Sequence, residues 1–408
     1  MKSILVLGGG YDQIALINEL KARGYKTILA DYYPNPPARS YADYHYQVST
    51  LDVAEIQNIA EREDVILVCT ACTDQALLTV AKVSEELRLP TYISYRTALD
   101  VTNKHYMKAQ LTKYNILTSK YLSKDNDDVD DLGDLKYPLV VKPADCNSSK
   151  GVNKVYDKRQ LSLCLKDALN MSRSGKAIVE EFISGREISA DFYIEEDRVV
   201  FLSATSSEKI KNNKSFTIVQ SFYPALSFLQ ELKITEIAKS ICEAFGLKNT
   251  PLLIQLLEHE GKFYVIEFSA RMGGGTKYKL IQTLSGVDIM SKYVDLILGS
   301  KPIIEHISRN VKYASLTYVY CRSGIIQSFA GFTDLAKKKV LSDYFFYKTP
   351  GMKITNAETS GDRAAGYLIS AETLAELNKK EKKADLELAI INEHGEDMML
   401  HNILGNGY

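Results

Sequence analysis

The stretch VIEFSARMGGG, Val265 to Gly275, sets Glu267, Ser269 and Arg271 on one side of a two-residue repeat and Ile266, Phe268 and Ala270 on the other. A carboxylate, a hydroxyl and a guanidinium on one face, followed by glycines, can hold a metal ion and a phosphoryl group. A solvated surface strand would carry the same pattern, so the chemistry depends on what else reaches that face. Just upstream, LLIQLLEHEGKFYVIEF reads as a hairpin in which Gln255 is the one polar residue of an apolar run. A three-residue loop, Glu260 to Lys262, sets Gln255 opposite Glu267; a two-residue loop would put Ile254 there and send the glutamine into the core. An unsatisfied buried amide costs about 1–3 kcal/mol, so the first register is expected. Gln255, Glu267 and Ser269 then make an oxygen-rich patch suited to magnesium. Arg271 is placed to bind a phosphoryl group in transfer, and Gly273, Gly274 and Gly275 let a substrate approach backbone N–H groups.

A second cluster lies in VVKPADCNSSKGV, Val140 to Val152. Lys142 closes an apolar strand, and Asn147, Ser148, Ser149, Lys150 and Gly151 follow with hydroxyls, N–H groups and an ammonium that can wrap phosphate oxygens. Burying an unpaired ammonium costs several kcal/mol, so Lys142 requires an anion. A ligand phosphate is the expected one; an internal carboxylate is the alternative. In IVEEFISGREI, Glu180 and Glu181 interrupt a strand, and Gly185 turns the chain before Glu187. Such a connection can read an adenine edge and a ribose, although alone it would pass for a charged hairpin. A nucleoside triphosphate carries about four negative charges, and each unit pair near 4 Å is worth roughly 4 kcal/mol at an effective dielectric of 20. Lys142, Lys150, Arg271 and two Mg²⁺ ions would match that load.

The elements that must position these groups are legible in outline. Strands SILVLGG, KTILAD and DVILVCT alternate with helices over the first ~95 residues, which implies a parallel sheet with its ligand site at the strand ends. Gly8–Gly10, Asp31 and the Thr70–Asp74 turn stand there, and Asp74 is expected to line a substrate pocket. GGGYDQ with Asp31 about 20 residues on approaches a dinucleotide fingerprint, but Gln13 stands near where close packing requires a glycine. Residues 100–117 read as one helix and a connection, and Asp125 to Asp134 as a solvated acidic loop. Tyr137 to Ile194 reads as a compact α+β unit that includes the strand EISADFYI. The last hundred residues read as a further α+β piece. The expected division is 1–98, 99–305 with a small lid at about 118–190, and 306–408.

Composition excludes several classes. With 50 basic and 51 acidic residues, a net charge of −1 argues against nucleic-acid and membrane-surface partners. No apolar run approaches the roughly 18 residues of a membrane span, and a cytoplasmic protein is expected. Six cysteines in 408 residues make no disulfide framework. The Cys69–Cys72 pair reads as packing beside a pocket rather than as a zinc or redox site.

In their order along the chain these motifs resemble the ATP-grasp superfamily, most nearly its carboxylate–amine ligases and carbamoyl-phosphate-synthase-like members, over about residues 1–300. The resemblance implies an α/β and α+β multidomain fold: a Rossmann-like first domain, a lid and a larger catalytic domain, with ATP between the last two. It implies that Lys104 in NKHYMK and Lys142 contact ATP phosphates and that NSSKGV is the phosphate loop. Glu180, Glu181, Phe182 and Ile183 would contact adenine, and Glu187 the ribose. Gln255 and Glu267 would hold Mg²⁺, or Mn²⁺ in its place, with Glu267 bridging two ions and Arg271 binding the phosphoryl group. Ser269 stands where the family usually has Asn, and the phosphate loop has a single glycine. The implied reaction is ATP-dependent ligation of a small-molecule carboxylate to an amine, in a monomer or a homodimer. A nucleotide sensor without turnover and a nicotinamide oxidoreductase are the alternatives.

Overall fold

The computed structural model describes residues 1–403 apart from 148, 197, 211–215, 356 and 358. Four strands, β1 (Ser3–Leu7), β2 (Lys26–Asp31), β3 (Tyr44–Gln47) and β4 (Val65–Cys69), form a parallel sheet in the order β3-β2-β1-β4. Ile4, Leu5, Val6 and Leu7 are fully buried, as apolar strands covered on both faces must be. Helix α1 (Tyr11–Ala22) connects β1 to β2, α2 (Val53–Arg62) connects β3 to β4, and α3 (Asp74–Leu87) follows β4. The single helix expected over 100–117 is two: α4 (Tyr95–Thr102) and α5 (Lys104–Lys113). Asn103 separates them as an extended residue whose side-chain oxygen accepts the His105 N–H at 3.0 Å, which starts a new helix.

A small antiparallel sheet follows, from β5 (Tyr121–Lys124), β6 (Leu139–Pro143), β7 (Asn153–Val155) and β8 (Ala177–Glu181), in the order β5-β8-β6-β7. Helix α6 (Lys158–Met171) covers it through Leu161, Leu165 and Ala168. The acidic loop is irregular, as expected. The strand EISADFYI, assigned from sequence to this unit, belongs elsewhere. As β9 (Arg186–Ile194) it enters a large antiparallel sheet beside β10 (Val199–Lys209) and β12 (Thr250–His259).

That sheet also holds β11 (Ile218–Tyr223) and β13 (Lys262–Ser269). The C-terminal region supplies β14 (Tyr313–Val319), β15 (Gly324–Ala330), β16 (Asp343–Phe346), β17 (Lys353–Ile354), β18 (Ala365–Ala371) and β19 (Ala389–Asn392). Of these, β14, β18 and β16 extend the large sheet to the order β13-β12-β9-β10-β11-β14-β18-β16. The remaining three make a separate small sheet. The C-terminal region is thus continuous with the rest of the large sheet through β11 and β14. Helix α7 (Phe228–Phe245) packs Ile234, Ala238 and Ile241 into the core containing Ile254 and Phe268. Helices α8 (Lys277–Ser285) and α9 (Ile289–Ile297) share another core with Leu16 and Ile17 of α1.

The β12–β13 hairpin reaches the expected register by an unexpected route. His259 pairs with Lys262, so the loop holds two residues, Glu260 and Gly261, not three. Leu256 pairs with Val265 while Gln255 pairs with Glu267, which leaves Ile266 as a β-bulge. The bulge restores the one-residue offset that the tighter turn removes. Gly185, before β9, has a comparable steric role: a Cβ there would press into the carbonyl of Glu258 on β12.

Candidate active site

Two adjoining cavities open along the large sheet. The first is lined by Lys104, Lys142, Glu180 to Ile183, Glu187, Gln255 and Glu267, with Ser149 and Asn147 from the polar loop. Strands β6 and β8 supply Lys142 and Glu180, α5 supplies Lys104 at its first residue, and β12 and β13 supply the other wall. Sequence-distant groups therefore converge on one space. Lys104 Nζ donates to the Cys146 carbonyl at 2.8 Å and lies 3.3 Å from Glu267 Oε2. Glu187 pairs with Lys209 at 2.7 Å and accepts a 3.4 Å hydrogen bond from the Gln255 amide.

Lys142 has its anion, but here the partner is the internal carboxylate of Glu180 rather than a ligand phosphate. Lys108, which the sequence reading missed, joins the same carboxylate at 2.7 Å and is 0% exposed. Burial pushes the Glu180 carboxyl up, and the two ammonium groups outweigh that, holding it at about 2. Burial also dominates at Lys108, lowering it to about 8 against the pull of Glu180.

Gln255 and Glu267 face both cavities and mark their junction. Among the described residues no three His, Cys, Asp or Glu side chains stand together as a metal cage. A cross-strand carboxylate and amide carbonyl still fit Mg²⁺, which typically takes one or two protein carboxylates and fills its shell with phosphate and water oxygens. Ser269 does not join them: it is 6% exposed, pairs with Leu253 and lines neither cavity. Glu267, Arg271 and Leu253, the cross-strand partner of Ser269, all line the second cavity.

The second cavity, about 760 Å³, takes Gly10 to Asp12, Cys72 to Gln75, Lys150, Gly273 to Gly275, Arg271 and Arg363 into its wall. Arg271 is not free to receive a phosphoryl group here. Its Nε and Nη2 fork onto both oxygens of Asp74, and Nη1 donates to the Met272 carbonyl at 2.6 Å. Burial would lower this guanidinium, but Asp74 outweighs it and keeps the charge. Asp74 is thus a partner of Arg271 as well as a wall residue. Asp12 on α1 accepts the N–H groups of Gly275 at 3.0 Å and Thr276 at 2.8 Å, fixing the glycine turn to the first domain. Gly275 has φ +69°, and a Cβ there would strike Arg363.

Arg363 lies flat on Tyr318, 3.5 Å from the ring centroid, with 3.3 Å contacts to Tyr320 Oη and Ser360 Oγ. Among the described residues it forms no ion pair. Lys277 Nζ donates to Thr205 at 2.7 Å and stands 3.8 Å from Asp191. In the polar loop after β6, Ser149 lines both cavities and Lys150 the second only. Gly151 lines neither; it turns at φ +73° against Pro143 and Met171. Ser148 lies outside the described residues. The glycines of the first domain leave little room for a pyrophosphate. A Cβ at Gly9 would lie 2.5 Å from Pro36, and the Gly9 N–H donates to Asp31 at 2.6 Å. Gln13 fills the third-glycine position by donating to the Ala71 carbonyl at 2.6 Å.

Residues 135–279 match the family described as ATP-grasp domain. The large chain of carbamoyl phosphate synthase from Clostridium perfringens is 22% identical over 321 residues, 74% of this chain and 29% of that protein. The chain therefore spans less than a third of this curated relative. Among solved structures, an L-amino acid ligase from Bacillus licheniformis superimposes with a TM-score of 0.79 at 21% identity, covering 96% of this chain and 99% of that one. The biotin carboxylase domain of a Hydrogenobacter thermophilus 2-oxoglutarate carboxylase, in complex with MgADP, ADP and bicarbonate, gives 0.77 at 16% identity, covering 98% and 92%.

Proposed function

We propose that this chain, whose residues 135–279 match the ATP-grasp domain family, is an ATP-dependent ligase joining a substrate carboxylate to an amine. One observation carries the reading: a first cavity walled by lysines and carboxylates and a second, polar cavity meet at Gln255 and Glu267. Phosphoryl transfer from the first space into the second would cross that pair. Lys104 and Lys142 would meet the phosphates, Glu181 to Ile183 the adenine, and Glu187 the ribose. Glu267 and Gln255 would hold Mg²⁺, with Glu267 shared if two ions bind; the metal would neutralise charge on the phosphates.

In the first step a carboxylate oxygen attacks the γ-phosphorus, and the bond to the bridging oxygen breaks to release ADP. In the second the amine attacks the acyl carbon, phosphate departs and the nitrogen loses its proton. Positioning and charge suffice for the first step, so no general base is needed. Arg363, a wall cation that forms no ion pair among the described residues, is suited to hold the substrate's carboxylate. Arg271, bound to Asp74, would position the glycine turn and the phosphoryl path unless substrate exchanges with Asp74.

The test is a screen of carboxylate and amine pairs for release of ADP and phosphate that requires both substrates. Glu267→Gln should reduce that release by on the order of 10²–10³-fold; a variant with undiminished turnover would overturn the assignment of Glu267. ATP binding without turnover on any pair would favour a nucleotide sensor. That reading drew on Ser269, which faces neither cavity. A nicotinamide oxidoreductase has Pro36 lying against Gly9 to contend with.

A further inference from the structure

Lys108 touches neither cavity, yet it is tied to the wall of the first. Its Nζ stands 2.7 Å from Glu180 Oε2 and donates to Thr118 Oγ1 at 2.8 Å and Ser119 Oγ at 3.0 Å. The Ser119 hydroxyl donates to the same Glu180 oxygen at 2.6 Å, and the other oxygen takes Lys142. Two ammonium groups thus share one carboxylate in a buried site. Lys142 and Glu180 line the cavity, whereas Lys108 does not.

We propose that Lys108 is a positioning residue for the nucleotide: a second counter-charge on Glu180 that lets Lys142 exchange Glu180 for a phosphate. The inference rests on the nucleotide reading above. In a one-to-one buried pair neither partner can leave without stranding the other charge, which is strongly unfavourable. With Lys108 in place, Glu180 stays compensated when Lys142 turns to a ligand. The cluster also keeps a net positive charge behind the cavity wall, which attracts an anion at short range. Remove Lys108, and Glu180 captures Lys142 as a closed, neutral pair.

The charged and titratable groups around Lys108 are few. They are Glu180 on β8, Lys142 on β6, Glu267 on β13 and the Tyr121 ring on β5, 5.2 Å away. Because burial lowers Lys108 to about 8, the extra charge should fade as pH rises past that value.

MgADP titration by calorimetry tests this on the full chain. Absence of binding by the unaltered protein would overturn the nucleotide reading itself. Given binding, Lys108→Met should weaken it on the order of 10- to 100-fold. The double variant K108M/E180Q should recover part of the loss, because Lys142 is no longer captured. A purely structural role would lower thermal stability in both variants without that recovery, and such a result overturns the proposal, as does K108M with unchanged affinity. If K108M does not fold, the unaltered protein decides: affinity should fall from pH 7 to 9, and a flat profile sinks the idea.

Discussion

The two cavities share the Gln255–Glu267 junction but treat their cations in opposite ways. In the first cavity, Lys142 and Lys108 share the one carboxylate of Glu180, while Lys104 stands by Glu267 and Lys209 by Glu187. In the second cavity, Arg271 is locked by a fork onto Asp74, while Arg363 rests on a tyrosine ring and forms no ion pair among the described residues. A lysine ammonium is a point charge that can pivot between partners. A guanidinium bound through two parallel hydrogen bonds is a fixed joint. The presence of a cation in a cavity therefore does not identify the ligand site; the count of its counter-charges does.

The strongest way to break this contrast is Asp74→Asn. Arg271 would be left buried without its counter-charge, and unfolding in denaturant should show a loss of about 3–5 kcal/mol. A loss under 1 kcal/mol would mean that Arg271 is free to bind ligand after all. Next comes acid titration of Glu180 in the first cavity. The Glu180 carboxyl is held at about 2, below its ordinary 4.5, so it is depressed in the folded state. Its contribution is present above 4.5 and is lost as pH falls through about 2. The unfolding free energy should decline by about 3 kcal/mol over that window, and Glu180→Gln should remove this part of the decline. The smallest effect belongs to Arg363→Met. It should raise KM for the carboxylate by about 10- to 100-fold while KM for ATP stays the same. Equal shifts in both constants would erase the distinction between the cavities.

Much of the arrangement was readable in the chain itself. Lys142 on a buried strand before Pro143 required a counter-ion, and Gln255 alone in an apolar run required a polar face. The alternation of the first 95 residues fixed a parallel sheet. Other features had no local signature. The helix break at Asn103 is a capping event inside a continuous helical pattern. The strand Arg186–Ile194 follows its neighbour so closely that only long-range pairing assigns it to the large sheet. Lys108 looks like any exposed helical lysine until β5, β6 and β8 close over it. The bulge at Ile266 corrected an expectation that had the right register from the wrong loop.

By itself the sequence determined which residues would need polar or charged partners, because burying an ammonium or an amide without a partner is too costly to occur by default. It also determined the element order, since periodicity and turn residues act over a few positions. Which carboxylate answers which cation was left to the tertiary structure. Asp74 and Arg271 are 197 residues apart, and Glu180 stands 72 residues from Lys108. Such pairings exist only after separate sheets have packed, because charges select their partners by distance in space.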